Sequence, residues 1–199
     1  MSLRLWAIKV GELRPLDADG LLLFGARCAL RVSPWVPKDA RRAWQAGLDI
    51  VLRAVGGEQF TPERIREVSR LVGDAGAIAC NRLDGTKDEA RGRCMNYATQ
   101  TLVAVLDASQ AADLKAQKKW IIDAAKLSAS IPALLAHAGQ IQARAGDAVS
   151  EAAGTIWNAI RADIPVVTAA RAANPSAPLS EAKLKALGPL WPGGKPEWA

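Results

Sequence analysis

The chain has 199 residues, enough for one domain with a sizeable core. Half of the residues are apolar, only 5% are aromatic and 23% are charged, which excludes a chain disordered throughout. A formal net charge of +6 favours acidic partners at long range, and it serves equally to keep a small domain in solution. Three cysteines, Cys28, Cys80 and Cys94, have no paired spacing. That argues against a secreted disulfide framework, and the absence of a CxxC or Cys/His cluster argues against structural zinc.

Alanine dominates the apolar half, and alanine favours helix over strand. Leu3 to Val10 alternates imperfectly and is predicted as a short extended segment. The punctuated stretch Gly11 to Gly20 reads as a loop ending in a helix start. Leu21 to Val32, apolar on most sides, is predicted as a central helix, with Gly25 allowing a close neighbour. Ser33 to Pro37 breaks it. Lys38 to Val55 is amphipathic, with Ala43, Ala46, Ile50 and Ala54 inward and Arg41, Arg42, Gln45 and Asp49 outward; Gly56-Gly57 stops it.

Thr61-Pro62-Glu63 opens the next helix with a cap, a proline in the first turn and an acid at the positive end of the dipole. Ile65, Val68, Val72, Ala75 and Ala79 repeat at helical spacing up to Leu83. Thr86 to Glu89 has the pattern of a capping box. The helix it opens places Ala90, Cys94, Tyr97, Thr101 and Val105 on one face. A fifth helix is predicted from Gln110 to Ser130, broken or kinked at Ile131-Pro132, with a short continuation to Ala143. Asp147 opens a sixth, striped by Val149, Ala153, Ile156, Ile160 and Ile164 and kinked by Pro165. Beyond Asn174 the chain turns to proline and glycine, with a short helix from Ser180 to Leu187. The expectation is therefore an all-α bundle of about six main helices spanning residues 1–173, with residues 174–199 packed on it as a Trp-bearing tail.

Little in this sequence speaks for catalysis. His137 is the sole histidine and has no partner motif. Arg93 beside Cys94 could lower a thiol pKa, yet a cysteine nucleophile wants a histidine base. Asp17 and Asp19 form a DxD pair ahead of a helix, the pattern of some metal-dependent transferases and also of ordinary capped loops. No phosphate loop, nucleophile elbow or dinucleotide fingerprint is present. No catalytic residue, metal ligand or cofactor is assigned.

Binding is the better expectation. Lys115, Lys118, Lys119 and Trp120 cluster within about one and a half turns of helix, and Arg41 and Arg42 add positive charge. Seven tryptophans are unusual beside two phenylalanines and one tyrosine; Trp35, Trp191 and Trp198 lie next to prolines or in loops, where tryptophan often anchors an interface. These nine residues are the candidate partner-binding set. The N-terminus lacks a signal pattern and no apolar run approaches a membrane span, so the cytoplasm is the expected location.

The segment Cys28-Ala29-Leu30-Arg31-Val32 with Pro34 after it, followed by the Arg41-Arg42-Ala43 helix, resembles the opening of the Imm5-like bacterial immunity proteins. The likeness covers residues 20–107. It implies an Ala-rich helical protein that binds and occludes a cognate toxin, here an acidic one by charge, and it carries over no catalytic residue. The expected function is non-enzymatic protein binding. A nucleic-acid-binding helix face is the first alternative, and an enzyme built on Asp17 and Asp19 or Cys94 the second.

Overall fold

The computed structural model describes residues 7–139, 147–173, 184 and 187–196. Within them the protein is all-helical, with six α-helices: α1 Ala18–Val32, α2 Arg41–Val55, α3 Pro62–Leu83, α4 Glu89–Ser109, α5 Leu114–His137 and α6 Ala148–Ala173. Short 3-10 turns at Val10–Leu13, Ser33–Trp35 and Lys38–Ala40 complete the pattern. No helix among the described residues is long and apolar enough to cross a membrane.

α1 is the axle. Every residue from Gly20 to Val32 is buried, because α2, α4, α5 and α6 all pack around it. Such enclosure demands an apolar surface on all sides and at least one very small residue. Gly25 is that residue: a Cβ built there would lie 2.7 Å from Ile121 Cδ1 and 2.9 Å from Val105 Cγ2. α3 and α4 form a close hairpin for the same reason. A Cβ at Gly76 would meet Thr99 Oγ1 at 1.8 Å, and one at Gly92 would meet the Cys80 backbone at 3.2 Å. Small residues let helix axes approach and the flanking side chains interlock.

Several sequence expectations are corrected. Val10, the end of the predicted extended segment, instead opens a 3-10 turn, and residues 7–9 are irregular; the rest of Leu3 to Val10 lies outside the described residues. The buried stripe of α2 is Trp44, Gly47, Leu48, Val51 and Val55 with Ile50, while Ala43, Ala46 and Ala54 are half-buried. The larger apolar side chains win the interior because burying them removes more area from water. The capping box at Thr86 to Glu89 does not form. Asp88 is the N-cap and has no side-chain cap bond. Thr86 Oγ1 donates to the Leu83 carbonyl at 2.6 Å and accepts from the Asp88 N–H at 3.2 Å, so it ties off the end of α3 rather than the start of α4.

α5 starts later than predicted, with Asp113 as its cap accepting from the Ala116 N–H at 2.7 Å. It also continues through Pro132 as one helix, where the sequence offered a break or a kink. A proline inside a helix costs about 3 kcal/mol. Burial of Ile131, Pro132 and Leu135 against the rest of the bundle offsets it. α6 likewise contains Pro165 within one continuous helix. The continuation predicted from Ala133 to Ala143 is the last part of α5 up to His137, closed by Ala138 and by Gly139 at φ +72°; residues 140–143 and most of the short helix predicted from Ser180 lie outside the described residues.

Candidate functional site

Three features of the fold could carry function: a buried charge cluster, an end cleft and the outer side of α5. The charge cluster comes from spacing. Arg27 and Arg31, one helical turn apart on α1, point at Asp163 of α6. Arg27 Nε donates to Asp163 Oδ1 at 2.8 Å, and Arg31 Nη1 lies 2.6 Å from Asp163 Oδ2. All three side chains are at most 2% exposed. Two guanidinium groups exceed one carboxylate, and main-chain oxygens supply the rest. Arg27 donates to the carbonyls of Leu184, Gly188 and Pro189, and Arg31 to those of Leu190 and Ala159. The Trp191 ring lies over the Arg31 guanidinium at 5.8 Å. Burial pushes the Asp163 carboxyl above its ordinary value, against the pull of both arginines. The cluster is closed to solvent and clamps Leu184 and residues 188–191 onto the bundle; its role is structural.

This cluster absorbs much of what the sequence offered as chemistry. Cys28 sits beside the arginines and its thiol is pushed up to about 12 by burial. Cys94 is buried too, with its thiol pushed up to about 12 by the same cause and its Sγ facing the Ile131 carbonyl at 3.9 Å, so Arg93 activates nothing there. Arg93 instead pairs with Glu89. The DxD pair is a cap and an ion pair. Asp17 accepts from the Gly20 N–H at 2.7 Å, and Asp19 accepts from Arg171 Nη2 at 2.6 Å. His137 is exposed at the C-terminal end of α5. Among the described residues no group of three or more His, Cys, Asp or Glu side chains is placed to hold a metal ion.

A cleft of about 350 Å³ opens where the start of α1, the end of α2, the start of α3, the end of α4 and the start of α5 converge. Its floor is apolar, formed by Leu22, Ala54, Phe60, Ile65 and Ala108. Three carboxylates, Asp19, Glu58 and Asp113, line it together with the amides of Gln59 and Gln117. Gln117 is buried and donates to the Ala18 carbonyl at 3.0 Å. Two of the carboxylates are held by arginines outside the lining: Asp19 by Arg171, and Glu58 by Arg53, whose guanidinium also lies over Phe60 at 5.3 Å. Desolvation raises the Asp19 carboxyl against the pull of Arg171. No motif announces this cleft, because its lining comes from five separate helix ends.

No protein-family model, curated protein or solved structure matches the chain. The candidate residues must therefore be weighed on their own geometry. Trp120 is 38% exposed, whereas Trp44, Trp157 and Trp191 are buried and Trp35 is half-buried. Lys115, Lys119 and Trp120 are all exposed on α5 and Lys118 is half-buried, but helical spacing sets Trp120 about 100° around the axis from Lys119 and about 140° from Lys115. None of these three lysines forms an ion pair with a described residue. Arg41 and Arg42 are exposed at the start of α2, a different helix.

Trp191 is thus a packing residue against Arg31 and not an exposed anchor, and Trp35 has its indole N–H buried without an acceptor. Trp198 lies outside the described residues. Three arginines of α3 are paired along their own helix: Arg64 with Glu67, Arg66 with Glu63 and Arg70 with Asp74. Sequence reasoning missed the Arg27–Arg31–Asp163 cluster and the cleft. The first had a signal: two arginines four apart in an otherwise apolar helix need a buried acid, and Asp163 is set among apolar residues of α6.

Proposed function

We propose that the chain is a non-enzymatic protein-binding domain whose partner docks on the outer side of α5. The observation that carries this reading is the exposed Trp120 on a helix whose exposed Lys115 and Lys119 have no ion-pair partners among the described residues. An exposed tryptophan matches the enrichment of that residue at interface centres, where its burial supplies much of the energy, and lysines suit the polar rim. Of the groups a catalytic reading would use, Cys28 and Cys94 are buried, and Asp17 and Asp19 serve a cap and ion pairs with Arg171. The positive charges of these lysines fit an acidic partner surface. Within this reading, the Imm5-like resemblance points to a toxin as the partner, and a genomic neighbourhood without a toxin or effector would oppose that.

Affinity capture from the source organism, run in parallel with wild type and Trp120→Ala, tests the reading. A protein retained by wild type and lost with the variant supports it; identical captured sets contradict it. One observation also favours a second reading. Two lysines on the same helix as an exposed indole can bind phosphates while the indole stacks a base of a single strand. Binding to a generic oligonucleotide that weakens steeply with salt would support this alternative, and no binding at low salt would end it.

A further inference from the structure

Arg27 and Arg31 grip residues 187–192 as a binding protein grips an extended peptide. The Gly188 carbonyl accepts from both terminal nitrogens of Arg27 at 3.3 Å, the Pro189 carbonyl from Arg27 Nη2 at 3.2 Å and the Leu190 carbonyl from Arg31 Nε at 2.9 Å. Gly188 has φ +125°, where any side chain would be strained. Leu187 and Leu190 pack half-buried against the core, and Trp191 is 9% exposed with its ring over the Arg31 guanidinium. Pro189 and Pro192 are exposed, and their rings fix the backbone beforehand, which lowers the entropy lost on docking. The donors are held from the other side. Asp163 pairs with both guanidinium groups, and the Ala159 carbonyl accepts from Arg31 Nη2 at 2.9 Å. One carboxylate against two guanidinium groups leaves a buried positive charge whose remaining donors need acceptors. A run of main-chain carbonyls supplies them, and any extended segment carries such a run.

We propose that this groove, where α1 and α6 meet, is a peptide-recognition site that the chain's own segment occupies in cis. Its partner is an extended segment of another chain with the pattern Gly-Pro-Leu-Trp: glycine for the backbone turn, proline for rigidity, leucine and tryptophan for the apolar contacts. A ligand on the same chain acts at an effective concentration on the order of millimolar. The cis segment therefore competes with the partner and sets how tightly the partner must bind. Trp120, Lys115 and Lys119 lie on α5, outside these contacts, so capture on that helix and peptide binding in this groove succeed or fail independently.

The probe is the blocked peptide acetyl-Leu-Gly-Pro-Leu-Trp-Pro-amide, titrated into the full chain and followed by amide NMR. In the full-chain variant Trp191→Ala, whose own segment is weakened, saturable shifts are expected on α1 and α6 around Arg27, Arg31 and Asp163. Wild type should bind the peptide at least about tenfold more weakly, since its intact segment competes. Peptides carrying Gly188→Ala or Trp191→Ala should likewise lose about tenfold or more against the variant chain. No saturable shift in the folded variant, equal affinity of wild type and variant, or equal affinity of the three peptides would each overturn the proposal. Inorganic phosphate reproducing the same shifts would overturn it too, by making the arginines an anion site. A measurement on wild type alone decides the matter if Trp191→Ala does not fold. The Arg31 Nε–H, which donates to the Leu190 carbonyl, should show a protection factor against hydrogen exchange at least about tenfold below that of the slowest α1 amides, because the segment opens without the bundle. Equal protection would mean that the segment leaves only on global unfolding, and the proposal would fall.

Discussion

Asp163→Asn is the most informative perturbation of the fold. In the native protein one carboxylate meets two guanidinium groups at 2.8 and 2.6 Å, with all three side chains at most 2% exposed. The amide is nearly isosteric, so packing is preserved and the charge alone is removed. Two buried cations would then be held only by main-chain oxygens. Breaking a buried pair by removing one partner costs roughly 3–5 kcal/mol. The amide oxygen can still accept one hydrogen bond, which places the expected cost near the lower end, about 3 kcal/mol. For a chain of this size, each kcal/mol moves the midpoint by about 2–4 °C, so Tm should fall by about 6–12 °C.

Thermal and urea unfolding followed by far-UV circular dichroism measure this, with Arg53→Ala as the control. Arg53 also makes two ion pairs, but its side chain is 49% exposed. An exposed pair contributes less than about 1 kcal/mol. If Asp163→Asn destabilises no more than Arg53→Ala, the cluster is not the clamp described above.

Gly25→Leu should lower stability by about 3 kcal/mol or prevent folding, since even a Cβ there sits 2.7 Å from Ile121; an unchanged melt would place the core elsewhere. Thr86→Ala should cost only about 0.5–1 kcal/mol, because its two bonds are local and exposed, and a loss beyond about 2 kcal/mol in urea titration would contradict that. Ellman's reagent at pH 8 should label Cys80 readily and leave Cys28 and Cys94 unreacted until the chain unfolds, both buried thiols being held near 12; stoichiometric labelling of three thiols in the native protein would refute their burial. The same two groups give a sign for alkaline stability. Their folded pKa lies above the ordinary 9.0, so their contribution is intact below pH 9.0 and is lost as pH rises toward 12, by up to about 1.4 kcal/mol per pH unit for each thiol. Stability that rises between pH 9 and pH 11 would contradict it.

The helices were legible in the sequence wherever apolar period and caps agreed. Thr61-Pro62 marked the start of α3, and Gly56-Gly57 marked the end of α2, where Gly57 adopts φ +87°. Boundaries failed where tertiary packing overrode a local signal. Pro132 read as a break or kink but sits inside one continuous helix whose buried face outweighs the lost backbone bond, and Pro165, read as a kink, also lies within a continuous helix. The Thr86 box failed because the hydroxyl accepts from the Asp88 N–H, while the Glu89 N–H donates to the Thr86 carbonyl.

Candidate-site residues were legible in composition but not in role. Spacing grouped Lys115, Lys118, Lys119 and Trp120, and all four lie on α5. It could not reveal that Trp191 is buried against Arg31, since that contact joins residues 160 positions apart. The Cys-Ala-Leu-Arg-Val segment that carries the Imm5-like resemblance lies in the most enclosed helix of the fold. Its cysteine and arginine serve packing and the clamp, so the shared pattern speaks for architecture before it speaks for binding.

The proposal that the α5 face binds a protein partner is tested most directly by the side-by-side capture with wild type and Trp120→Ala, the two baits matched for thermal stability. The account predicts a partner that wild type retains and Trp120→Ala loses, with Lys115→Glu combined with Lys119→Glu losing it as well. Retention of every captured protein by both variants would contradict it.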